Sequence, residues 1–501
     1  MRERYACLDA KQFPLQALLR LRPELEDKPV AVLDGEPPLE AVCACSRTAQ
    51  SLGVCLGMTR LEVEMFPTVR ILRRSRAEEE TARAAMLECA GSFSPRVEDQ
   101  SDDLNFTCVI DISGTDTLFG SAEALGERLR KKTQALRLYG SIAISSNFHA
   151  ARCLARAGWS DKPVLIVAKG GESAALAPLP ISVLDCSLEH TETFAMWGIS
   201  RLGELAALGE NELIARLGQA GKTMRLLARG VAPHLFRPIE AQLALAESIE
   251  LDSPVELLDS LLFVLGVMLD QLIVRAQEQI LALASVTIEL RLDGGSSHTR
   301  TVRPALPNVD RKLWLKLIHL DLQAWPPSAG ILGLRVSAQT GSSSKVQMGL
   351  FSPQAPEPMR LDVTLARIRK IVGEGAVGQA VLKDSHRPDA FRMEPFTVVS
   401  TAHQGAITGT NRIAMRQLRP AEVVTVTVIG QRPQSFYFRE KRYSVERAYG
   451  PWNSAGEWWN PTLWSVEQWD LVARAQDGSC LCCCLTQDTA HERWQVEALY
   501  D

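Results

Sequence analysis

Residues 5–16 read YACLDAKQFPLQ. Tyr5–Leu8 form an apolar strand that delivers one carboxylate, Asp9, at its end. An acid at a strand end is a common place for a metal-bound carboxylate. Two residues on, where a second acid would sit beside it, stands Lys11. The stretch is therefore either half of a metal site or the remnant of one. Outward from it, residues 1–170 read as α/β. Short apolar strands (YACLD, PVAVLD, FTCVIDIS, SIAISS, PVLIVA) alternate with helical patterns such as SAEALGERLRKKTQALRLYG.

Bulk composition bounds the rest. A chain of 501 residues exceeds one core and suggests three to five units. An apolar share of 46% and a charged share of 23% are ordinary for a soluble globular protein. MRERYACLDAKQF offers no apolar signal core, and the most apolar helical stretch, LLDSLLFVLGVMLDQLIVRA, carries Asp259 and Asp270 at helical spacing. Neither secretion nor a membrane span is expected. Twelve cysteines without paired spacing fit a reducing cytoplasm. A net charge of −4 means that nucleic-acid contact must come from local basic patches.

After residue 170 comes a helical block, FAMWGISRLGELAALGENELIARLGQAGKTMRLLARG, whose apolar–Gly corners resemble helix-hairpin-helix units. Plain helix packing is the competing reading. Residues 245–340 then give the order β-α-β-β-α-β. A connector follows, and residues 360–420 hold ten Arg/Lys against five Asp/Glu. The last eighty residues read as a separate small β domain, with six of the ten tryptophans between 452 and 494.

This order resembles the Y-family translesion DNA polymerases. KPVAVLDG (28–35) and CSRTAQSLGVCLGM (45–58) are similar to that family's fingers, IDISGTDTLFG (110–120) to its second palm strand, and ISSNFHAARCLAR (144–156) to its palm helix. The resemblance implies an α/β and α+β multidomain chain. Its expected parts are palm (1–12 and 68–170), fingers (13–67), a helix-hairpin-helix-like thumb (171–236) and a β-α-β-β-α-β little finger (245–345). A clamp-binding motif with a basic connector (346–420) and a Trp-rich, β-rich C-terminal partner-binding domain (421–501) complete it.

The same resemblance exposes losses. Such polymerases hold two divalent metals about 4 Å apart, using an Asp on the first strand and an Asp-Glu pair on the second palm strand. Asp9 matches the first. Counting back from Asp111, the pair falls on Phe106 and Thr107, neither of which replaces a carboxylate. Asp102 and Asp103 could fill in only through a four-residue slip that loses register. The family's Ser-Tyr-x-x-Arg triphosphate pattern reads Ser46, Arg47, Thr48, Ala49, Gln50; its steric gate is Pro14, and the first of two palm lysines is Phe148, with Arg152 at the second. Lys11 would partly neutralise Asp9 in a metal's stead. The expectation is no catalytic residue, no metal and no cofactor.

A polymerase-shaped chain without polymerase residues resembles the non-catalytic adaptors of that family. Its tail, with YGPWNSAGEWWNPTLWSVEQWD and RWQVEALYD, is similar to theirs. The partners so implied are the DNA sliding clamp, an error-prone C-family DNA polymerase, a RecA-like accessory protein and damaged primer–template DNA, in SOS-induced mutagenesis. An active error-prone polymerase is the alternative, and a DNA-binding module without protein partners a third reading.

Four motifs remain. QMGLF resembles the clamp-binding peptide: Gln347 at the rim, with Met348 between it and the apolar anchors Leu350 and Phe351; an edge strand is the bland reading, and QLALA (242–246) lacks the aromatic. CLCCC (Cys480, Cys482, Cys483, Cys484) invites zinc, but adjacent strand residues point to alternating faces, so buried thiols are expected. Trp452, Trp458 and Trp459 are partner-binding candidates, the other tail tryptophans sharing the core with some of them. Arg367, Arg369 and Lys370 form either a solvated helix face or a DNA contact.

Overall fold

The computed structural model describes residues 3–158, 164–239, 244–304, 306–342, 358–373, 376–383, 391–394, 415–456, 465–489 and 491–500. Residues 1–371 and 372–501 form two compact units.

The first unit opens with β1 (Tyr5–Ala10) and α1 (Phe13–Leu19), Pro14 sitting in the first helical turn where its missing N–H costs nothing. A small sheet follows: β2 (Val30–Asp34), β3 (Ala41–Cys45), the short helices α2 (Arg47–Ser51) and α3 (Arg60–Glu64), then β4 (Arg70–Arg73). Its order is β3-β2-β4, so the fingers-like sheet extends beyond the expected limit at residue 67. β4 belongs there because it pairs in parallel with β2, Val30 opposite Arg70.

The chain returns through α4 (Arg76–Gly91), capped by Ser75, to β5 (Val97–Asp99) and β6 (Phe106–Asp111). Next come α5 (Asp116–Phe119), α6 (Ala122–Ala135), β7 (Ser141–Ser145), α7 (Phe148–Ala157) and β8 (Val164–Ile166). The palm-like sheet has the order β5-β6-β1-β7-β8. Strand alternation divides its side chains. Leu8, Phe106, Cys108 and Ile110 pack on one face with Ala82, Met86, Leu125 and Leu129 of α4 and α6. Cys7, Val109 and Ala143 pack on the other with α7 and the helices beyond.

Those are α8 (Glu172–Leu176), α9 (Leu188–Met196), α10 (Leu202–Ala207) and α11 (Glu210–Ala228), a helical block as read from the sequence. Gly218, at φ +63°, breaks the helical geometry inside α11. Then β9 (Ala246–Val255), α12 (Leu258–Glu278), β10 (Leu281–Leu292), β11 (Ser297–Val302), α13 (Arg311–Ala324) and β12 (Ile331–Ser342) give the β-α-β-β-α-β order. They form an antiparallel sheet, β11-β10-β12-β9. Its apolar face carries α12 and α13, with Trp314 fully enclosed. The basic stretch begins with α14 (Pro358–Val372), whose Val363 and Ala366 pack against that core.

The second unit holds a hairpin, β13 (Gln379–Leu382) with β14 (Phe391–Glu394), and a larger sheet. The latter comprises β15 (Met415–Val423), β16 (Thr425–Ile429), β17 (Arg432–Phe438), β18 (Lys441–Ala455), β19 (Ser465–Ala475), β20 (Cys480–Asp488) and β21 (Arg493–Tyr500). Among the described residues the larger sheet thus already includes Met415, before the expected 421. Its order is β15-β21-β20-β19-β18-β17-β16. Only Val424 separates the two edge strands, so the sheet must curl until both edges share one bent strand. Trp469 is 2% exposed in its core and Trp452 is 48% exposed on β18. Trp469→Ala should cost about 3–5 kcal/mol of this unit's stability, and Trp452→Ala less than about 0.5 kcal/mol. Urea titration followed by circular dichroism reads both.

Candidate functional site

β1 lies between β6 and β7, with Asp9 opposite Thr107 and Ala10 opposite Phe106. The two positions where the family places acids therefore flank the strand end that carries Asp9. Phe106 is buried and tilts against Phe13, 5.4 Å between ring centres, so it has joined the core. The Thr107 hydroxyl donates to Asp9 Oδ1 at 2.7 Å. Asp9 Oδ2 is buried without a partner. Burial raises the Asp9 pKa above the ordinary carboxylate range, against lowering by the Thr107 hydrogen bond, Arg156 and Lys11. An acid with a raised folded-state pKa is least unfavourable when protonated, so its penalty grows as pH rises through the folded value. Asp9→Asn keeps an acceptor for Thr107 and removes that charge. The variant should have the higher Tm at pH 8, with the difference closing towards pH 4; thermal melts across that range check it.

Lys11 is exposed, and Arg156 at the end of α7 acts on Asp9 more strongly. The sequence reading passed over Arg156. Its signal was the i,i+4 spacing from Arg152, which places both on one helix face. Both arginines bind Asp185, and Arg152 also donates to Gln100 Oε1 at 2.9 Å. Phe148 stacks on His234, 3.6 Å between ring centres.

The nearby acids are engaged. Asp102 Oδ1 accepts the Leu104 and Asn105 amides at 2.9 and 2.8 Å, closing the turn before β6. Asp103 is held by Arg74 and Arg76, which pull its pKa down to about 2. Asp102 also lies near enough for its charge to push the Asp9 pKa up, and it pairs with Arg156 at 3.9 Å.

Asp9, Lys11, Gln12, Ser46, Arg47 and Tyr139 border an open cleft of about 790 Å³ between the palm-like and fingers-like sheets. Ser46 spends its hydroxyl capping α2, accepting the Ala49 amide at 3.2 Å. Arg47 and Gln50 are exposed at its mouth, Gln50 donating to the Cys45 carbonyl at 3.2 Å. Pro14 is buried in α1. The cleft thus offers one carboxylate and scattered polar groups. Two hard cations side by side need several.

Residues 8–156 match the impB/mucB/samB family model. A DNA polymerase IV of Dehalococcoides mccartyi is 25% identical over 383 residues, covering 74% of this chain and 95% of its own. Protein ImuB of Caulobacter vibrioides is 26% identical over 414 residues, 76% of this chain and 83% of its own. This chain is ImuB-like. Among solved structures, DinB from Sulfolobus solfataricus aligns over 67% of this ImuB-like chain and 98% of its own, with 13% identity and a TM-score of 0.40.

The remaining candidates lie away from the cleft. Gln347, Met348, Leu350 and Phe351 fall outside the described residues, as do Trp458, Trp459 and, of the QLALA stretch, Gln242 and Leu243. Arg367 is exposed and Arg369 half-buried on α14, which also carries Lys370. In CLCCC, Cys480 is exposed while Cys483 and Cys484 are buried, their thiols raised to about 12 by burial. Cys483 joins the core of the second unit. Among the described residues no three His, Cys, Asp or Glu side chains group as metal ligands, and no helix is long and apolar enough to cross a membrane.

Proposed function

We propose that this chain is a catalytically inactive, Y-family-like adaptor for SOS-induced translesion synthesis and mutagenesis in the cytoplasm. In this reading it docks on the sliding clamp through Gln347, Met348, Leu350 and Phe351. It engages damaged primer–template DNA weakly, with Arg367, Arg369 and Lys370 as candidate contacts. Through the tail, with Trp452, Trp458 and Trp459 as candidate anchors, it recruits an error-prone C-family polymerase and a RecA-like protein. One observation carries it: the two positions that should supply metal-binding acids are a core Phe106 and a Thr107 that donates to Asp9. The likeness to ImuB supports the reading. The similar likeness to a DNA polymerase IV favours a second, an active error-prone polymerase.

Recruitment is tested by capture. Full-length chain should retain clamp, C-family polymerase and RecA-like protein together. A chain ending after Ile371, where the first compact unit closes, should keep the clamp and lose the RecA-like protein. That cut preserves the packing of Val363 and Ala366, which a cut near 352 would remove. Full retention of the RecA-like protein by the folded 1–371 chain places recruitment on the polymerase-like body instead.

A further inference from the structure

Outside the cleft, five buried charged side chains, Arg20, Arg22, Glu78, Glu247 and Arg275, lie where the β9–β12 unit meets the palm-like and fingers-like elements. Arg20, at the end of α1, is 1% exposed and donates to Glu247 Oε1 on β9 at 2.7 Å. Arg275 of α12 donates to the same oxygen at 2.9 Å. It also grips both oxygens of Glu88 on α4, at 2.9 and 2.7 Å. Glu88 in turn accepts the Ala244 amide at 3.1 Å. The relay therefore runs from α1 through β9 and α12 to α4.

A second contact closes on the edge of β9. β9 is the last strand of its sheet, so one of its backbone edges has no strand neighbour. At Glu250 that edge is covered by a side-chain pair. Glu78 Oε1 on α4 accepts the Glu250 amide at 3.0 Å, and Arg22 donates to the Glu250 carbonyl at 2.6 Å. Arg22 and Glu78 hold each other through two hydrogen bonds of 2.6 and 3.0 Å. The pair takes the place of a neighbouring strand.

The connector is held as well. Ile239 donates to the Val97 carbonyl of β5 at 2.8 Å, and Arg237 to Glu98 at 2.7 Å. Leu21, just after α1, lies in the apolar core of the β9–β12 unit, and Ile239 and Val274 pack on the palm core. Removing a single partner from such a pair strands the other charge in the interface. Arg20 Nε and Nη1 and Glu247 Oε2 already lack partners, so the relay is better suited to specifying one docked position than to adding stability.

We propose that the β9–β12 unit is latched to the palm as one body, through the Arg20–Glu247–Arg275–Glu88 relay and the Arg22–Glu78 clasp, and does not travel when DNA is engaged. The latch stands on this interface; its second half rests on the reading that the chain engages DNA, and both hold whichever reading of the cleft is right.

Hydrogen–deuterium exchange on the full chain, read at single residues, tests it. The Ala244 and Glu250 amides donate to carboxylates of α4, so their protection reports the latch. Both should be protected in the wild type and remain so when a primer–template duplex is added. Glu78→Ala should speed Glu250 exchange at least tenfold while β6 and β10 amides stay as they are. Fast exchange at both positions in the wild type overturns the latch, as does loss of protection on adding duplex. Unchanged Glu250 exchange in a folded Glu78→Ala protein also overturns it. Should that variant fail to fold, the wild-type arms still decide.

Discussion

Replacing Gln347, Leu350 and Phe351 together with Ala should abolish clamp binding. A short peptide docked through a few anchors binds with a Kd of about 1 μM, near −8 kcal/mol. Truncating two apolar anchors in a hot spot removes a few kcal/mol, so the variant's Kd should rise at least about a hundredfold. The motif lies beyond Ser342, where β12 ends. Circular dichroism and melting should match the wild type, which separates loss of binding from loss of folding. Equilibrium binding to immobilised clamp gives the affinity, and induced mutation frequency in cells gives the consequence, which should fall to background. Undiminished clamp binding would move the site elsewhere, with Gln242 and Leu243 next to be replaced.

Primer extension carries the second large effect. With primed template, all four deoxynucleotides and Mg²⁺ or Mn²⁺, the purified chain should leave the primer unextended. The reason is electrostatic. In-line phosphoryl transfer builds charge on the attacking and leaving oxygens, and two clustered cations neutralise it. Those cations need carboxylates around them, and β6 presents Phe106 and Thr107 at the places concerned. Phe148 and Gln50 likewise leave the triphosphate without two of its expected cationic partners. Metal-dependent extension that Asp9→Ala removes would establish the polymerase reading.

How much of this the sequence disclosed depended on how local the cause was. The β-α-β-β-α-β order was legible because β9–β12 and their helices each carry their own apolar period. Counting back from Asp111 located Phe106 and Thr107, since residue spacing within a strand is fixed; the structure sets Thr107 opposite Asp9. Pairing between distant strands was not legible. β4 looked like the start of the palm, yet it pairs with β2. Met415–Gln417 read as connector, yet they pair with β21. Buried charge was not legible either. Arg20, Arg275 and Glu247 suit a solvated face by composition, and only the docking of distant elements buries them. Arg156 was passed over because its action on Asp9 depends on where α7 lies across the sheet.

The central claim is that Asp9 is a remnant and the cleft performs no chemistry. Induced mutation frequency in cells whose only copy is Asp9→Ala tests this most directly, with immunoblots confirming wild-type protein levels. The account predicts a frequency equal to that of the wild type. A fall to the level of a deletion strain, at normal protein abundance, would contradict it.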